Sequence, residues 1–154
     1  MPNWCKGTLK VRGAVEDIKK WIENEINCYD FFGMETEERP KLKIDDYEIC
    51  AEIPSGGHVS FSRRNFISGS SYYCFDDNPD FSILCFDIEA AWSFDAKPYV
   101  KHSREYNLDF RIHGFEKGME FEQILEVING EVTIDKEINH EDYMWEAYDP
   151  RLGG

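Results

Sequence analysis

Met-Pro-Asn-Trp-Cys-Lys-Gly-Thr-Leu-Lys-Val-Arg-Gly, residues 1–13, carries a period-two alternation. Cys5, Gly7, Leu9 and Val11 fall on one side and Lys6, Thr8, Lys10 and Arg12 on the other, the pattern of a strand with one buried face. Gly13 ends it. Directly afterwards Val15, Ile18, Trp21, Ile22 and Ile26 recur at helical spacing, while Glu16, Asp17, Lys19, Lys20, Glu23 and Glu25 fill the opposite face. Residues 14–27 are therefore predicted to form a helix, whose acidic first turn complements the positive end of its dipole.

Further along, regularity weakens and then returns. Between residues 29 and 80 the chain is punctuated by Pro40, Pro54, Gly56, Gly57, Gly69 and Pro79, with strand-like character at 43–53 and loose alternation at 59–66. This stretch reads as an insertion or an elaborated connection, with a Ser-, Tyr- and Phe-rich run at 67–75. The near-continuous apolar run at 81–91 predicts a central strand buried on both faces. Ser93 or Asp95 can cap a following helix that has Pro98 in its first turn and stops at Asn107. Leu108, Phe110 and Ile112 then alternate with polar residues as a further strand. Asn129-Gly130, between residues 124–127 and 131–134, predicts a type I′ hairpin. The tail from His140, with Tyr143, Met144, Trp145 and Tyr148, is expected to dock at least in its first part, and the last four residues are expected to fray.

Strand, helix, strand material, strand, helix, strand is the βαββαβ order of an α+β, ferredoxin-like sandwich: an antiparallel sheet with two helices on one face. The whole chain, residues 1–154, is expected to be a single domain, with the insertion at about 29–80, a C-terminal β-hairpin and an acidic extension at about 136–154.

Particular residues carry a resemblance. Asn3-Trp4-Cys5 followed by Thr8-Leu9-x-Val11-x-Gly13, together with Ala91-Trp92-Ser93 before a Pro-containing helix, resembles the YubB ferredoxin-like domain family of phage and plasmid proteins. The likeness spans about residues 1–28 and 82–130. In that family a pair of prolines usually follows the Trp-Ser, whereas this chain has Phe94-Asp95-Ala96-Lys97-Pro98. The resemblance implies a ferredoxin-like fold, a mobile-element origin and no established enzymatic activity; a fold name alone supplies no mechanism.

Charge is the strongest compositional signal. Seventeen basic residues stand against 31 acidic ones, a net −14 with an isoelectric point near 4.6. Residues 81–154 hold 7 basic and 16 acidic side chains, so the C-terminal part carries most of the field. Direct nucleic-acid binding by phosphate neutralisation is disfavoured, although Lys6, Lys10 and Arg12 share one face of the first strand. No apolar run approaches the roughly 18 residues of a membrane span, and the start lacks the basic and apolar regions of a secretory signal. A cytoplasmic protein is expected, within the host cytoplasm if phage-encoded. Cys5, Cys28, Cys50, Cys74 and Cys85 have no Cys-x-x-Cys pair and the four histidines no i, i+4 pair, so reduced thiols and neither metal nor cofactor are expected.

Two readings of function follow. In the first, a non-enzymatic acidic binding protein of a phage or mobile element engages a basic, nucleic-acid-binding surface of a host protein, since a strong negative field steers association with a positive cleft. Glu116, Glu120, Glu122, Glu126 and Glu131 are its candidate contacts. No catalytic residue is assigned, because carboxylate pairs arise by chance among 31 acids. In the second, a small-molecule-binding protein or enzyme uses a pocket formed with residues 29–80, where His58, Arg63, Tyr72 and Tyr73 would collect. The sequence leaves the oligomeric state open.

Overall fold

A computed structural model of the chain describes residues 3–75 and 77–154; Met1 and Pro2, which open the quoted stretch, and Asp76 lie outside the described residues. The elements are β1 (Trp4–Gly13), α1 (Val15–Glu25), β2 (Ile26–Cys28), β3 (Lys41–Ile44), β4 (Glu48–Val59), β5 (Asn65–Cys74), β6 (Ser82–Ala91), α2 (Ala96–Tyr106), β7 (Asp109–Glu116), β8 (Phe121–Ile128), β9 (Glu131–Asn139) and α3 (Tyr143–Glu146). The fold is α+β. Nine antiparallel strands make one sheet in the order β2-β4-β5-β6-β1-β7-β8-β9, with β3 pairing beside β2 on β4.

The alternation in β1 decides the register of the centre. Leu9 lies opposite Phe86 of β6 and Ile112 of β7, and Val11 lies opposite Leu84 and Phe110, so these six apolar side chains share one face. Both long helices cover that face: the Trp21 ring of α1 and the Tyr99 ring of α2 both meet Phe110, at centroid distances of 5.3 and 5.7 Å. α2 starts where Asp95 Oδ1 accepts the Lys97 N–H at 3.0 Å and stops at Asn107, which is left-handed at φ 55°. The Asn129-Gly130 turn is left-handed at both residues, φ 51° and 74°, as a type I′ hairpin requires.

The segment expected as an insertion or an elaborated connection forms strands of the sheet: β4 and β5 supply Ile49, Ala51, Ile53, Val59 and Ile67 to the main core, and β5 pairs directly with β6. Three expectations need correction, the first of them among residues 29–80. Within them the alternation at 59–66 is mostly the turn between β4 and β5, whereas the Ser- and Tyr-rich run becomes most of β5. The outer part of β5, from Ser68 to Cys74, is mostly small or polar and is half-buried or exposed at every position, so its sequence lacks a strand's usual apolar alternation. Second, β6 is buried on one face only, with Cys85 exposed, because both helices lie on one side. Third, the C-terminus is tied down, the Gly154 N–H donating to Trp4 O at 3.0 Å.

Candidate functional site

The face of the sheet opposite the helices is the natural place for a site, since it carries the polar half of every central strand. Across β1, β7 and β8 run Lys6, Phe115 and Glu122 in one row, and Lys10, Arg111 and Glu126 in another. After β9 the chain crosses back over this face. Phe115, Tyr143 and Ala147 form a second small apolar cluster there, with Leu152 against it.

Glu122 is the centre of this arrangement. It is 5% exposed, and its two oxygens accept from His113 Nε2 at 2.7 Å, His140 Nε2 at 3.2 Å and the Tyr148 N–H at 2.7 Å. Burial pushes its pKa up, but the Tyr148 N–H and the His113 imidazole more than offset this, leaving it below the ordinary value. Glu146 accepts the backbone N–H groups of Glu141 and Asp142 and lies 3.5 Å from His140 Nδ1, extending the network through the tail. Cys5, on the helix-covered face of β1, is buried, which with the Glu116 charge pushes its pKa up to about 12 and keeps it protonated. With its donors and acceptors already paired to one another, the network acts as a latch for the tail.

The five carboxylates singled out from the sequence are not one surface. Glu116 is fully buried and accepts the N–H groups of Gly118 and Met119, at 2.9 and 2.5 Å, closing the turn between β7 and β8. Glu122 is the latch. Glu126 is held by Arg111 and by the Thr133 hydroxyl, the latter at 2.8 Å. Glu120 and Glu131 are exposed, but they flank β8 at its two ends, about 27 Å apart at a strand rise of 3.4 Å.

The alternative set is likewise dispersed. His58 packs its half-buried ring against Tyr29 and Phe66, and burial holds its pKa low. Arg63 is exposed in the turn before β5, whereas Tyr72 and Tyr73 lie near the strand's far end on opposite faces. Tyr72 donates to Glu48 at 2.6 Å, and Tyr73 stacks against Phe81. A cavity of about 410 Å³ does open on the polar face, against Lys6, Phe66, Asp87, Glu89 and Leu152, but none of the four lines it.

Two features escaped the sequence reading. A groove of about 590 Å³ between α2 and β9 has an apolar floor of Ala96, Val100 and Val132 and a rim of Lys97, Lys101, Arg104 and Glu105. Its signal was present, since cations at 97, 101 and 104 share one helical face. At the opposite edge of the sheet, the loop after β2 exposes Phe31, Phe32 and Met34. No cluster of His, Cys, Asp and Glu among the described residues has the arrangement of a metal site.

No family model matches the chain. No curated protein and no solved structure gives a significant match either. No helix of the described residues is long and apolar enough to cross a membrane.

Proposed function

We propose that this is a non-enzymatic binding protein whose acidic flank, formed by β9 and the segment through α3, engages a basic surface of a partner protein. One observation carries the reading. From residue 131 onward there are seven carboxylates and two cations, and Glu131, Asp135, Glu137, Glu141, Asp142 and Glu146 are all exposed. They lie on and just beyond an edge strand that pairs on one side only, so the charge is presented where a partner can approach. Of the five carboxylates chosen from sequence, Glu131 belongs to this flank; the others fold inward or sit at the turn before β8.

The frame beneath the flank is read here as ferredoxin-like. The order β7-β1-β6-β5, antiparallel, with α1 and α2 on one face, supports it, as does the Asn-Trp-Cys opening that resembles the YubB domain. On this reading β2, β3 and β4 extend one side of the frame and β8 and β9 the other, and the protein serves a phage or plasmid inside the host. The partner is a host protein whose basic surface ordinarily meets nucleic acid.

Pull-downs from host lysate with the wild type and with Asp135→Lys/Glu137→Lys, across a salt series, test the proposal. Recovery of a nucleic-acid-handling protein that salt releases and the charge reversal abolishes is the expected result. Retention of the same proteins by the variant contradicts it.

A further inference from the structure

The loop between β2 and β3 is built to hold two aromatic rings in water. Phe31 is 98% exposed and Phe32 85%, their rings edge-to-face at 5.6 Å, with Met34 beside them. Asp30 Oδ1 accepts the N–H groups of Phe32 and Met34 at 2.9 and 2.8 Å. Asp30 also exchanges backbone bonds with Gly33 and Met34, and Thr36 N–H returns to Cys28 O at 2.9 Å. Such a preorganised aromatic tip pays little ordering entropy on docking. It carries an acidic collar of Asp30, Glu35, Glu37 and Glu38, in which the one cation, Arg39, is already bonded to Glu35 and to two backbone carbonyls.

The groove between α2 and β9 is the counterpart of this tip. Its floor is apolar, its volume is about 590 Å³, and its lining holds three cations and one carboxylate in a molecule of net charge −14. Tip and groove occupy opposite edges of the sheet, seven strand spacings or about 34 Å apart measured along it. A chain therefore cannot fill its own groove.

We propose that two copies of this chain associate head-to-tail, Phe31 and Phe32 of one seating in the Ala96, Val100 and Val132 groove of the next while the acidic collar faces Lys97, Lys101 and Arg104. The contact is heterologous, so it propagates into a ring or an open filament. It uses residues outside the acidic flank and stands independently of the function proposed above. Long-range repulsion between the copies is screened beyond about 8 Å at physiological ionic strength, whereas the close charge pairs are screened less.

Sedimentation velocity on the full chain, up to about 1 mM so that even a contact with Kd near that value is populated, tests the proposal. Wild type should form concentration-dependent oligomers. Phe31→Asp/Phe32→Asp and Lys97→Glu/Lys101→Glu should each be monomeric and folded, the first with the wild-type melting profile and the second melting slightly lower because it gives up the exposed Lys101–Glu105 pair. Mixing the two variants should restore a 1:1 dimer that grows no further, since one supplies an intact groove and the other an intact tip. A monomeric wild type, a variant that still oligomerises, or a mixture that stays monomeric would overturn it.

Discussion

Removing the carboxylate of Glu122 should loosen the C-terminal tail before it unfolds the sheet. Glu122→Ala deprives two imidazoles and the Tyr148 N–H of their shared acceptor, at a site 5% exposed. Leaving buried donors without their charged acceptor costs about 1–3 kcal/mol each, and because the tail can lift and let water reach the freed donors, a total of about 3 kcal/mol applies. Against a typical total of about 5–15 kcal/mol this is a large share. With a urea slope of about 2 kcal/mol per molar, the midpoint should fall by about 1.5 M. Glu122→Gln keeps the volume and one acceptor oxygen, so it should lose about half as much. Amide exchange at Tyr148 and Gly154 should accelerate in both variants under conditions where the β1 amides remain protected. The pH dependence has a definite sign: with its folded pKa below the ordinary 4.5, Glu122 contributes stability above that pH and loses it as pH falls through the lower folded value. A Glu122→Ala midpoint within about 0.3 M of wild type, with unchanged exchange at Tyr148, would refute the latch.

Other expectations follow from the core. His102 is fully buried, with a pKa lowered chiefly by burial below 6.5, so protonation of the unfolded chain should cost the fold up to about 1.4 kcal/mol per pH unit below that value; equilibrium unfolding at pH 7.5 and 5.5 measures it, and His102→Phe should flatten the slope. Phe110→Ala empties the space against which Trp21 and Tyr99 pack and should cost about 3–5 kcal/mol by urea unfolding. Gly130→Ala places a Cβ in a left-handed turn at φ 74° and against the Arg104 side chain, so a loss of about 1–2 kcal/mol by the same assay is expected.

How much of this was legible in the chain follows from the range of the interactions concerned. β1, α1 and the Asn129-Gly130 turn announce themselves because each is decided by neighbours within a few residues. The α2 cap at Asp95 and stop at Asn107 are local for the same reason. β5 was not legible: from Ser68 on, no position is fully buried and the residues are mostly small or polar, and its place is set by pairing with β4 and β6. Glu122 looked like one more surface acid because its partners sit at 113, 140 and 148, joined by a strand register and a returning tail that no spacing reveals. Similarly, Tyr72 and Tyr73 adjoin in sequence and part across the sheet, so a pocket inferred from proximity along the chain does not form. The exposed carboxylates of β9 were hidden among 31 acids until burial separated those that close turns and latches from those that face water.

That separation is the basis of the functional account, and a cationic probe tests it directly. Titrating the protein with decalysine while following amide chemical shifts should perturb residues 131–149 first and most, with the loop acids near residues 30–48 and 77–80 responding weakly. Shifts spread evenly over every exposed carboxylate would mean that the acidity serves solubility, and would contradict a dedicated acidic flank.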